Sequence, residues 1–337
     1  MRKIIIVMLA VLMMAVGAGA VHSMDDNKGR KLANTDNVIQ VIAAVHSLDD
    51  NKGCKSVLTS LQATYSLTAR LCRGTAIKVE NLFPQGVSMK SQQYYIRKHI
   101  KELAKPLSHA TAVVTIRSAW PGDPLFPAAR GEKISTIEID ASMPLDIRQS
   151  GVALLNVPKN GESSMEESCL KIWLSLANAS RMAEIIAIDL QRLSFGDRAV
   201  IGRNLMELKQ EMFKLRSGYE TRFARLDSLE VIAMTGEFVY LTDNFNIEVV
   251  GYFLKPEIDW TENDFAAFEQ AILDSDIKVV IHKWEPDKAI MDLLRKTGVR
   301  LVVLDPMDAP AGNDDALDVD VYLKTMKQNL ATLAAAL

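Results

Sequence analysis

Polar and aromatic residues recur in this chain just after short apolar segments, the places where side chains able to hold a small solute gather. In the first half these are Tyr65, Lys90, Gln92, the run Trp120-Pro121-Gly122-Asp123, and Asp140. In the second half they are Glu237, Tyr240, Asp259-Trp260, His282-Lys283-Trp284-Glu285 and Asp305. Imidazole nitrogen and carboxylate oxygen together suit a divalent ion of the harder kind. Glu237, His282 and Asp305 are the metal-ligand candidates, with Asp259 and Glu285 as further donors. Tyr65, Trp120, Trp260 and Trp284 offer flat faces to an organic solute. Catalysis has no comparable support. The chain lacks a G-x-S-x-G elbow, a P-loop, an H-E-x-x-H pair and a complete dinucleotide fingerprint, so no enzyme is expected.

Strands alternating with helices must carry these residues. The pattern predicts strands at 56–61, 77–82, 112–116 and 133–139, with helices at 63–73 and at 92–105, the latter halted by Pro106. A second set predicts strands at 229–234, 247–252, 277–282 and 299–304, with helices at 262–274, 287–297 and 321–335. Between them lie helices at 177–193 and 199–226. In the latter Ile201, Leu205, Leu208, Met212, Leu215, Tyr219, Phe223 and Leu226 step by three or four residues. At 1.5 Å per residue that helix runs roughly 40 Å, long enough to span two lobes. The expected fold is α/β: two lobes, each with a parallel four-stranded sheet flanked by helices, joined by one long backbone helix. Ligands of such sheets bind outside the carboxyl ends of the strands, so the two polar rims are expected to face each other across an interlobe cleft.

The segments divide as a signal peptide at 1–20, a mobile duplicated extension at 21–55, an N-terminal lobe at 56–196, a linking helix at 197–227 and a C-terminal lobe at 228–337. Arg2 and Lys3 precede the apolar run Ile4–Val16, and Ala18-Gly19-Ala20 supplies a cleavage pattern, so export to the periplasm is expected. VHSMDDNKGRK at 21–31 recurs as VHSLDDNKGCK at 45–55. A net charge of −3 gives no basic stripe, which argues against a nucleic-acid partner. After residue 20 no apolar run approaches a membrane span. A monomer is expected. Cys54, Cys72 and Cys169 leave at least one thiol unpaired; a Cys54–Cys72 bridge and two free thiols are both open.

Four stretches carry a family resemblance: IWLSLANASRMAEIIAIDLQRL, EFVYLTDNFNIEVVGYF, LVVLDP and YLKTMKQNLATL. They resemble the solute-binding proteins of zinc- and manganese-type ABC importers, the ZnuA/TroA-like group, over roughly 56–337. The resemblance implies capture of a small solute and its delivery to an ABC permease with its ATPase. It also implies three histidine ligands and one acidic ligand. Here those positions fall on Lys90 in PQGVSMKS, Lys171 in LKIWL, Thr235 in AMTGEF and Asp305 in LDP. Protonated lysine is a poor ligand for zinc or manganese. Two solutes therefore stay open: a divalent metal such as Zn or Mn at the sparse His/carboxylate set, or an anionic solute or metal chelate in a cationic cleft of Lys90, Lys171 and Lys283. No cofactor is required. A non-transport adhesin or sensor on the same fold is the alternative function.

Overall fold

The computed structural model describes residues 55–337 apart from 147, 160, 161, 276 and 310–317. The signal segment, nearly all of the duplicated extension, and Cys54 lie outside the described residues, so the Cys54–Cys72 pairing does too.

The first lobe runs β1 (Ser56–Thr59), α1 (Gln62–Leu71), β2 (Lys78–Asn81), α2 (Gln92–His109), β3 (Ala112–Thr115), α3 (Leu125–Glu132) and β4 (Ile137–Asp140). Its strands are all parallel, in the order β2-β1-β3-β4. A short antiparallel hairpin follows, β5 (Asn156–Lys159) with β6 (Glu162–Ser168). Two helices come next, α4 (Leu176–Leu193) and α5 (Arg198–Phe223). The second lobe runs β7 (Glu230–Ala233), α6 (Val239–Asn244), β8 (Glu248–Tyr252), α7 (Glu262–Ser275), β9 (Val279–His282), α8 (Lys288–Thr297), β10 (Arg300–Val303) and α9 (Val321–Ala336). Its parallel order, β10-β9-β7-β8, repeats the topology of the first lobe.

Side-chain alternation in the strands divides the interior into three layers. Val57, Ala112 and Val114 point from the first sheet into one large core, and Val231, Ala233, Val279 and Ile281 enter the same core from the second sheet. Their neighbours Leu58 and Val113, and Ile232 and Val280, face outward into two smaller cores under the outer helices. Strands apolar on both faces are what a covered parallel sheet requires.

The shared core is continuous because α4, α5 and α9 pass through it. Near its start α5 meets the first lobe, where Asn204 Nδ2 donates to the Leu71 carbonyl at 2.9 Å. Near its end Phe223 packs against Phe245 of the second lobe, and Arg222 donates to the Ala334 carbonyl at 3.2 Å. Helix α9 crosses back to the first lobe. Arg70 of α1 pairs with Asp320 at 2.5 Å, and Ser66 Oγ donates to the Val319 carbonyl at 2.5 Å. The lobes are joined by a long helix, as expected, and also by a second strap at the C-terminus.

Two local expectations need correction. Pro106 does not halt α2, which continues to His109; the irregular backbone lies earlier, at His99 (φ −114°, ψ 19°). Proline lacks only its own N–H, and the turn after it still closes, the Ala110 N–H donating to the Pro106 carbonyl at 3.1 Å. Helix α3 and the β5–β6 hairpin occupy stretches in which no element was expected. Cys72 and Cys169 are both buried, and neither forms a disulfide among the described residues. Burial pushes the pKa of the Cys72 and Cys169 thiols up to about 12 and about 11.

Candidate functional site

Lys171 is placed by the hairpin. Where β6 ends, the Cys169 N–H donates to the Leu155 carbonyl at 3.0 Å, and the Leu155 N–H donates to the Tyr240 hydroxyl at 2.9 Å. The chain then turns through a 3-10 segment, Ile172–Leu174, in which Trp173 is fully buried. The Trp173 indole N–H donates to the Pro306 carbonyl at 3.0 Å, and the Trp173 carbonyl accepts from the Tyr322 hydroxyl at 2.8 Å. The backbone beside Lys171 is thus fixed from three sides.

The second lobe brings its residues to the carboxyl ends of β7, β9 and β10. After β7 the Thr235 hydroxyl accepts from the Glu237 N–H at 3.3 Å. Gly236 lets this turn approach the hairpin; a methyl there would come within 2.9 Å of Val157 Cγ2. His282 is the last residue of β9, and Lys283 follows it. After β10 the Asp305 carboxylate accepts from the Met307 N–H at 2.7 Å, and Asn329 clasps the Asp305 backbone at 2.9 and 2.8 Å. This turn, with Met307 at φ +54°, delivers Asp308 to Lys171.

The result is a chain of charges between the lobes. The buried Lys171 ammonium is paired with the Asp308 carboxylate, lies 3.9 Å from Glu237 Oε2 and touches Met89 Sδ at 3.3 Å. It also stands 5.5 Å from the centre of the Trp173 ring, within cation–π range. The other Glu237 oxygen takes the Lys283 ammonium, which lies 4.7 Å from the Trp284 ring centre. The Trp284 indole N–H donates to Glu257 Oε1 at 3.1 Å, and that oxygen lies 2.8 Å from His282 Nε2. Glu257 thus pairs with the Nε2 side of His282, whose Nδ1 has no hydrogen-bond partner, and Glu237 Oε2 meets only the Lys171 ammonium. Burial lowers the His282 pKa, and the nearby Glu257 carboxylate opposes that only in part.

The structure gathers some of the expected residues and scatters others. Lys171, Glu237, His282 and Lys283 come together. Lys90 does not join them as expected: it is exposed, and its buried neighbour Met89 reaches Lys171 instead. Asp305 is exposed, with its carboxylate turned onto its own chain. Among the described residues no three His, Cys, Asp or Glu side chains form a metal-ligand group, so Glu237, His282 and Asp305 do not make one. The cationic cleft is corrected as well, because Glu237 and Asp308 answer the charges of Lys171 and Lys283.

The remaining candidates have structural work. Tyr65 is buried in α1, where burial and the Asp318 carboxylate raise its pKa. Gln92 is buried, its Nε2 donating to the Ser60 carbonyl at 2.7 Å. Trp120 packs on the shared core. Trp260 packs with Phe253, Phe265 and Phe268, and its N–H donates to the Lys255 carbonyl at 2.9 Å. Tyr240 pins the hairpin base. Sequence reasoning missed Met89, Glu257 and Asp308. A signal existed for Asp308, a second carboxylate three residues beyond Asp305; Met89 and Glu257 had none.

Two similar parallel α/β lobes, with side chains of both and of the hairpin return meeting between the strand ends, define the two-lobed solute-binding fold. The chain belongs to the family described as zinc-uptake complex component A periplasmic, whose model matches residues 57–336. Among solved structures it is similar to FpvC from Pseudomonas aeruginosa in complex with Mn2+, with 19% identity, a TM-score of 0.65, and 84% of this chain and 98% of that chain covered. It is also similar to a mutant of the laminin-binding adhesin Lmb from Streptococcus agalactiae (19%, TM-score 0.60, 84% and 99% covered). A third is a periplasmic metal binding protein from candidatus liberibacter asiaticus (17%, TM-score 0.64, 84% and 99% covered). No curated protein matches. No helix among the described residues is long and apolar enough to cross a membrane.

Proposed function

We propose that this chain is the periplasmic solute-binding component of a metal-type ABC importer, taking a small charged solute between its lobes and passing it to a permease driven by an ATPase. One observation carries the reading. Met89 from the first lobe, Lys171 from the hairpin return, and Glu237, Lys283, His282 and Asp308 from the second lobe form one connected cluster. Such convergence at strand carboxyl ends is where this fold holds ligands.

The solute class follows from the donors. Among the cluster's buried polar atoms, His282 Nδ1 lacks a hydrogen-bond partner, and Glu237 Oε2 meets only the Lys171 ammonium, at 3.9 Å. Trp284, half exposed, offers its face to an organic body. Two lysines within the cluster work against a bare transition-metal ion. A metal chelate or other small solute carrying charge on an organic frame suits the set better.

Protein purified from the periplasm should therefore carry an organic solute by native mass spectrometry, with or without a metal by elemental analysis. Glu237→Ala should abolish its retention. One equivalent of zinc or manganese with no organic mass would overturn the chelate reading. Solute uptake unchanged in cells lacking the chain would overturn transport and favour the adhesin or sensor alternative.

A further inference from the structure

We infer that the Lys171 ammonium is a built-in cation: it fills the interlobe position that would otherwise accept a free cation, and so decides what this site admits. The inference rests on the interlobe site proposed above but not on transport. Lysine is seldom buried without strong compensation, yet Lys171 is 7% exposed. Four groups from different parts of the chain surround its Nζ. They are the Asp308 carboxylate after β10, Glu237 Oε2 after β7 at 3.9 Å, Met89 Sδ before α2 at 3.3 Å, and the Trp173 ring face at 5.5 Å.

Each of these is an electron-rich group of the kind that solvates a positive charge: two carboxylates, a thioether and a π face. They come from both lobes, so the ammonium also ties the lobes together. An ammonium and a bound metal ion cannot share this space, because both demand the same carboxylate oxygens and repel each other. Free divalent cations are thereby excluded while Lys171 is in place.

The inference predicts that shortening Lys171 uncovers a cation site. Wild type, Lys171→Ala and Lys171→His would be compared by isothermal titration with Zn2+ and with Mn2+, and by elemental analysis after desalting. Circular dichroism would establish that each variant is folded. Both variants should bind one equivalent of at least one of the two ions, and wild type neither. Adding Asp308→Asn to Lys171→Ala should weaken that binding by about 10–100-fold. Wild type binding either metal as tightly as the variants would overturn the inference. So would folded variants that bind neither, or binding indifferent to Asp308→Asn. The transport reading fails separately, through uptake that does not depend on the chain.

Discussion

Replacing Lys171 by methionine tests whether the interlobe charges are a structural tie. The substitution keeps an unbranched apolar stem of nearly the same length and removes the charge, with it the cation–π contact on Trp173. It leaves Asp308 and Glu237 facing each other, with Lys283 alone to answer Glu237. Breaking a buried pair by removing one partner costs about 3–5 kcal/mol. The carboxylates are partly wet, with side chains 31% and 22% exposed, so water recovers some of that loss. A destabilisation of about 2–3 kcal/mol is expected after that discount. At about 2–4 °C per kcal/mol for a chain of this size, the thermal midpoint should fall by about 4–12 °C. Urea denaturation followed by far-UV circular dichroism measures the same quantity at fixed temperature. Adding Asp308→Asn to Lys171→Met should recover at least about 1 kcal/mol, because the stranded carboxylate is then neutral. A midpoint within about 2 °C of wild type, or no recovery in the double variant, would refute the idea of a buried tie.

Three further outcomes are expected. Gly236→Ala should cost about 1–3 kcal/mol through collision with Val157, and Val157→Ala should relieve it, as read by denaturant midpoints. Tyr240→Phe strands the Leu155 N–H at the hairpin base and should cost about 1–3 kcal/mol, with faster hydrogen exchange at that amide. Asp123 gives a pH signature: burial raises its pKa from 3.8 to about 6, against the N–H groups of Leu125 and Ile116. The folded state then holds the proton more tightly than the unfolded chain. Stability from this group is full below about 4 and is lost as pH rises through about 6, by up to about 3 kcal/mol. Denaturation midpoints between pH 4 and 7 should show that slope in wild type and lose it in Asp123→Asn.

Much of the fold was legible because parallel α/β layers write themselves into local pattern. Ser56–Thr59, Glu230–Ala233 and Val279–His282 are short, apolar and followed by turn or polar residues, and each proved a central strand. The stripe from Ile201 to Phe223 fixed the long helix, since a 3.6-residue period is a property of neighbouring residues alone. Glu237, His282 and Lys283 were named by the rule that ligands sit beyond strand ends, and the fold places them side by side. The hairpin escaped because β6, ESSMEES, is polar and pairs only with the still shorter β5. Nothing local announces such a strand.

The amino-acid order alone thus determined two repeated βα layers, the rod between them, and the stretches from which a site would be drawn. Only the tertiary structure decided which members of those stretches meet. Met89 rather than Lys90 turns inward, and Asp308 rather than Asp305 reaches across, because side-chain direction at a turn depends on backbone dihedrals fixed by distant partners such as Asn329. Charge neutralisation was equally invisible. Lys171 and Glu237 are 66 positions apart in the chain, and whether two such charges cancel depends on a separation in space that no local pattern encodes.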